Sequence, residues 1–163
     1  MNWLFALMIF FTHLVFSGQD PQVTSDDKQI IIERHNFWRQ QVGVGPIEWS
    51  EELAVVAARW GAHLKRDNCG FYHSDYRNYG ENLFMGTSGY YTASDVVDSW
   101  GSEKSDYDYK KNKCRRGKMC GHYTQIVWAS TTSVGCAKVT CNGSTIWVCE
   151  YDPPGNWVGE RPY

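Results

Sequence analysis

Six cysteines in a chain of 163 residues, Cys69, Cys114, Cys120, Cys136, Cys141 and Cys149, constrain this sequence more than any other feature. The run VGCAKVTC, the dipeptide Asn142-Gly143 and the run STIWVCEYD read as two strands joined by a two-residue turn. Asn-Gly best tolerates the left-handed backbone that such a turn demands. Counting outward pairs Cys141 with Ser144 and sets Cys136 opposite Cys149 in a non-hydrogen-bonded pair, where side chains approach closest. Register alone thus predicts a Cys136–Cys149 disulfide. Cys141 projects from the other face, so its partner lies among Cys69, Cys114 and Cys120. An even set favours three bridges in an oxidising compartment. Structural zinc competes poorly, because the tight spacings leave five, four and seven residues between neighbours instead of two close Cys-x-x-Cys pairs. Asn142-Gly143-Ser144 is also a glycosylation sequon, although the turn already accounts for the Asn-Gly pair.

An oxidising destination agrees with the start of the chain. Residues 1–18, MNWLFALMIFFTHLVFSG, carry no charge and read as a secretory signal with Val15 and Ser17 as its small residues. The apolar stretch, about a dozen positions, is shorter than the ~20 needed to span a bilayer. The remaining residues, 19–163, suit one domain, which at this size buries roughly 70% of its unfolded surface. All 16 Lys and Arg and all 18 Asp and Glu fall in that domain, and its formal charge of -2 points away from nucleic acid. The expectation is an extracellular protein, in the apoplast if the source is a plant, and a monomer, since heptads are lacking.

Local signals place three helices. Ser25 is a cap for a first helix with Asp26 and Asp27 in its opening turn and apolar Ile30, Ile31, Phe37 and Trp38 running toward Gly43. Ser50 caps a second, whose Leu53, Val56, Ala57, Trp60 and Leu64 recur on one face. Residues 66–91, rich in Asn, Gly, Tyr and Asp, read as mostly loop. Thr92 with Asp95 forms a capping box for a third helix that carries Val96, Val97 and Trp100 to about Tyr107.

GHYTQIVW, VCEYDPPGNW and RHNFWRQQVGVGPIEWSEELA, with the order of the cysteines, resemble the CAP superfamily of cysteine-rich secretory proteins, antigen 5 and pathogenesis-related 1 proteins, the plant pathogenesis-related 1 branch in particular. The resemblance implies an α+β fold, a three-layer α-β-α sandwich around a small antiparallel sheet. It implies bridges Cys69 to Cys141, Cys114 to Cys120 and Cys136 to Cys149. It also implies a cleft lined by His73, Glu81, Glu103 and His122. One of the four has independent support: Glu103 falls three residues after Trp100 and seven after Val96, on the inward side of its helix, where a carboxylate needs a partner. His73 and His122 converging from separate segments would suit Zn²⁺ or another divalent cation, with the acids behind them or acting as a base for metal-assisted hydrolysis. No His-Glu-x-x-His pair and no nucleophile accompany them, so a binding protein without a required cofactor is expected in preference to an enzyme. His35 and His63 lie on helices and receive no role; His13 leaves with the signal.

Tyr90 and Tyr91, with Tyr107 and Tyr109, are rings that could hold an apolar ligand, and the resemblance implies sterol or related lipid binding with antifungal or anti-oomycete action. Lys110, Lys111, Lys113, Arg115, Arg116 and Lys118 surround the expected Cys114–Cys120 loop, either as a solvated surface or as an attraction for anionic lipid or acidic wall polysaccharide. Residues 153–163 match a tail that plant members release as a defence-signalling peptide. Here the cut would follow Asp152, before Pro153, with Cys149-Glu150-Tyr151 where the family usually has Cys-Asn-Tyr.

Overall fold

The computed structural model describes residues 22–163, so the expected signal, residues 1–18, lies outside it. In chain order the elements are α1 (Ser25–Gln40), β1 (Glu48–Trp49), α2 (Glu51–Arg66), β2 (Gly80–Thr87) and α3 (Ala93–Ser102). A 3-10 turn (Glu103–Asp106), the ribbon β3 (Tyr107–Asp108) and β4 (Lys113–Cys114), α4 (Gly121–Ile126), β5 (Ser133–Cys141) and β6 (Ser144–Asp152) follow.

The hairpin of β5 and β6 has the register that the cysteines require, with Cys141 opposite Ser144 and Cys136 opposite Cys149. Asn142 and Gly143 take φ of 48° and 79°, the two left-handed residues of the tight turn. The opposed cysteines bond across 4.1 Å between Cα atoms, and Cys69–Cys141 and Cys114–Cys120 complete the set at 5.8 and 5.6 Å. Odd spacing sends the two bridges of β5 into different cores. Cys136 and Cys149 sit with Val134, Trp147 and Tyr151 against α1, α3 and α4. Cys141 sits with Val139, Ile146 and Val148 against Ala57 and Leu64 of α2. Two helical layers thus enclose one sheet, of order β1-β5-β6-β2, antiparallel except for the two-residue edge strand β1. Gly135 makes the α2 side possible: a Cβ there would stand 2.2 Å from the Ala54 amide nitrogen and 2.4 Å from the Ser50 carbonyl.

Three local expectations need correction. Thr24, not Ser25, caps α1: its hydroxyl accepts from the Asp27 amide at 3.1 Å while the Asp27 carboxylate accepts from the Thr24 amide at 3.0 Å. That reciprocal arrangement satisfies two donors which the first turn leaves over. The third helix ends as an α-helix at Ser102, and the tighter 3-10 turn carries the chain to Asp106. Finally, the stretch 66–91 contains the eight-residue strand β2, paired along its whole length with β6. Glycines at positions 80 and 86 and the polar pair Glu81 and Asn82 conceal its alternation.

Burial on α1 is also unexpected. Its interior stripe is Ile31, His35 and Arg39, while Phe37 is 44% exposed. Among the described residues Arg39 meets no carboxylate; its guanidinium donates to the carbonyls of Gly45, Ile126, Trp128 and Thr131, and burial lowers its pKa to about 10. His35 donates from Nδ1 to the Ile31 carbonyl at 2.7 Å and accepts at Nε2 from the Tyr151 hydroxyl at 2.9 Å. Desolvation holds it neutral, with a pKa of about 4.

Candidate functional site

The end of α3 and the start of α4 build one histidine–carboxylate pair. Glu103 leaves α3 on its inward side, as its spacing from Val96 and Trp100 requires. One carboxylate oxygen meets His122 Nδ1 at 2.7 Å, and the other accepts from the backbone amides of His122 at 3.0 Å and Tyr123 at 3.3 Å. These are amides that the first turn of α4 leaves without intrahelical partners. The imidazole stacks on Trp100 with 6.0 Å between centroids. Both side chains are mostly buried, His122 at 18% and Glu103 at 17% exposure.

A second pair joins the loop after α2 to the first residues of β2. His73 Nδ1 meets Glu81 Oε1 at 2.5 Å, and the same oxygen accepts from the Ser74 amide at 3.0 Å. Here the imidazole is 59% exposed and the carboxylate only 6%. The bond to Glu81 raises the His73 pKa, outweighing the opposing effect of partial burial.

Behind Glu81 stands a residue that the sequence reading did not assign to the site. Glu150 is its cross-strand partner on β6, fully buried on the α2 face. Among the described residues neither Glu150 oxygen has a hydrogen-bond donor, and Glu81 Oε2 lacks one as well. Two carboxylates cannot both stay ionised at such a position, so a proton remains on one of them. Burial, then the neighbouring Glu81 charge, push the Glu150 pKa up to about 9. A signal for this was available: counting by two along STIWVCEYD puts Glu150 on the same face as Ile146 and Val148.

Asn82 lies between the two pairs. It points to the opposite face from Glu81 and donates to the His122 carbonyl and to the Tyr151 hydroxyl, both at 3.1 Å. The structure thus makes two pairs, held beside each other by β2 and α4, and no hydrogen bond among the described residues joins one pair to the other. In each, Nδ1 is committed to a carboxylate, which leaves Nε2 as the atom able to meet a ligand. That donor set would give a divalent cation two nitrogens and open positions, short of a closed tetrahedral site. Among the described residues no group of three or more His, Cys, Asp or Glu is placed to hold a metal ion. All six cysteines are bridged, so none is a nucleophile.

The expected aromatic candidates separate into two groups. Tyr90 and Tyr91 stand together on the segment after β2, 5.0 Å apart edge to face, and Tyr91 packs on Phe84 at 5.0 Å. Tyr107 and Tyr109 belong to the packing of the tail. Tyr107 donates to Asn112 at 2.6 Å, and Tyr109 stacks on Tyr163 at 4.8 Å. His63, to which the sequence assigns no role, is exposed and stacks on Trp60 at 4.6 Å. Asp152 and Pro153 are exposed, yet the Asp152 carbonyl accepts from the Thr132 amide at 3.0 Å and the Pro153 carbonyl from the Thr131 hydroxyl at 2.8 Å. Beyond them, the tail is tied by Gly155 to Gln125, Pro162 to Ala129, and Arg161 to the carbonyls of Tyr109 and Lys110.

Comparison with known proteins agrees with this architecture. Residues 32–151 match the family model described as the cysteine-rich secretory protein family, CAP. The chain is 43% identical to pathogenesis-related protein 1A of Nicotiana tabacum over 139 residues, 85% of this chain and 82% of that one. It is 45% identical to pathogenesis-related protein 1 of Arabidopsis thaliana over 157 residues, 96% and 94% of the two chains. Among solved structures, the venom allergen-like protein 4 of Schistosoma mansoni superposes with a TM-score of 0.66 at 27% identity, over 86% of this chain and 95% of the other. NaASP2, in a crystal structure described as with Zn²⁺, shares the fold at a TM-score of 0.71 and 23% identity, over 86% of each chain. With plant pathogenesis-related 1 proteins matching most of its length, the chain belongs to the CAP family of cysteine-rich secretory proteins.

Proposed function

We propose that this is a secreted plant-defence protein that acts by capturing a sterol or related lipid against Tyr90 and Tyr91, harming fungi or oomycetes without catalysis. The observation that carries the reading is a large ring left in water on a supported platform: Tyr90 is 75% exposed while Tyr91 anchors it to Phe84. Two adjacent exposed rings form a contiguous apolar patch of the kind that can meet an apolar partner. Gly86 supports the arrangement, since a side chain there would collide with the Tyr91 ring. Relatives named for pathogenesis support the defence role, and three disulfides suit the extracellular space. Titrating the oxidised protein with ergosterol in detergent tests the proposal. Saturable binding that Tyr90→Ser weakens at least about tenfold is expected; no saturable binding defeats it.

The exposure of Asp152 and Pro153 favours a second reading, a precursor whose residues 153–163 are released as a signalling peptide. Mass spectrometry of extracellular fluid after elicitation would find the free tail, and intact protein alone would count against it. A divalent cation on His73 or His122 is a third, favoured by the two Nε2 atoms that the carboxylates leave uncommitted and by the zinc in the NaASP2 structure. Metal uptake abolished in a His73→Ala, His122→Ala protein would support it, and uptake unchanged in that protein would oppose it.

A further inference from the structure

The nine residues 110–118 hold Lys110, Lys111, Lys113, Arg115, Arg116 and Lys118 and no acid, while the other residues carry ten bases against eighteen acids. A near-neutral total therefore conceals a concentrated cationic spot on an acidic body. All six of these side chains are exposed, and only Lys111 has an acidic partner among the described residues, Asp108 at 3.3 Å.

Unlike most runs of surface charge, this one has a fixed backbone. Pairing of β3 with β4 and the Cys114–Cys120 bridge close it from both sides. Asn112, at a left-handed φ of 49°, is held by the Tyr107 hydroxyl and donates to the Glu160 carbonyl. Lys118 turns back onto the Arg115 carbonyl at 3.0 Å, and Arg115 donates to the Asp106 carbonyl at 2.7 Å. Arg161 lies over the Tyr109 ring with its guanidinium on the carbonyls of Tyr109 and Lys110, adding a seventh positive group. A rigid cluster loses less conformational freedom when it binds.

From this geometry we infer that the Lys110 to Lys118 loop is a docking surface for a linear acidic polysaccharide, a chain of uronate sugars. The charge distribution selects this partner over a membrane. A flat anionic surface confronts the acidic body along with the loop, whereas a strand of carboxylates can follow the loop alone. Membrane docking would also use apolar residues to insert; Tyr109 and Met119 flank the loop and Trp157 and Val158 lie exposed on the tail beside it, so the vesicle titration is the competing arm of the test. This surface is independent of the sterol platform, so either can fail alone.

Polygalacturonate and anionic phosphatidylserine vesicles, titrated separately against the oxidised protein, test the inference. Expected is saturable binding to polygalacturonate that weakens roughly tenfold or more between about 50 and about 200 mM salt. A Lys113→Ser, Arg115→Ser, Arg116→Ser protein should lose at least about tenfold in affinity, while Arg59→Ser, Arg66→Ser, at exposed bases elsewhere, should bind as the parent does. Circular dichroism and a thiol count establish that each variant keeps its fold and bridges. Absence of binding, equal loss in both variants, or tighter loop-dependent binding to the vesicles would overturn the inference.

Discussion

Glu103 holds His122 while resting on the backbone of α4, whereas Glu81 holds His73 while facing a second carboxyl across the sheet. The residue types are the same and the supports differ in kind. Amide donors stabilise the Glu103 carboxylate at any pH where it is ionised. Glu81 depends on Glu150 keeping its proton. The first pair is therefore a fastening between α3 and α4, and the second is a group of three whose charge is set by pH. Exposure follows the same division, since His73 is open to solvent and His122 is covered by Trp100.

The largest test of that contrast removes each acid in turn. Glu103→Ala strands one mostly buried imidazole and two amides, and should lower unfolding stability by about 3 kcal/mol in urea. Glu81→Gln removes one of two crowded carboxylates and should cost less than about 1 kcal/mol at pH 8. Equal losses would erase the distinction.

Next in size is the response to pH. Glu150 titrates near 4.5 when unfolded and at about 9 when folded, so between those values the native state keeps a proton that the unfolded chain has released. Stability then falls as pH rises through that range. His73, also raised, adds stability that is present below 6.5 and lost above it. His35 acts in the opposite sense: folded at about 4 against 6.5 unfolded, it makes stability fall as pH drops between those values. Thermal melts from acid to alkali should peak in the mildly acidic range, and Glu150→Gln should flatten the alkaline side, raising Tm at pH 8 by about 3 °C or more. A variant curve parallel to the parent's would contradict the role given to Glu150.

Smaller still is the effect of cutting the chain. The tail is held at Gly155, Arg161, Pro162 and Tyr163, so a nick at Asp152–Pro153 should leave residues 153–163 bound through gel filtration. Immediate release would show these contacts to be weak. Least affected should be His73→Ala, whose exposed ring contributes within about 0.5 kcal/mol at neutral pH, measured by urea midpoint.

Much of this architecture is legible from local rules. The hairpin turn, the Cys136–Cys149 bridge, the Ser50 and Thr92 caps and the inward placement of Glu103 follow from spacing of two, three or four residues. The other two bridges and the four cleft residues came with the resemblance, because sequence separation hides their contacts. Strand β2 escaped since its pairing with β6, not its own composition, makes it a strand. The burial of Arg39 and His35 has no local signal, because their partners include carbonyls and a hydroxyl contributed from far along the chain. Glu150 could be placed on a buried face, but only the register with β2 reveals that it faces another carboxylate.

Infrared spectroscopy of the oxidised protein at pH 7 tests the shared proton most directly. The account predicts the carbonyl stretch of one un-ionised carboxylic acid, absent from Glu150→Gln and fading as the pH passes about 9. A spectrum at pH 7 with ionised carboxylates alone would contradict it.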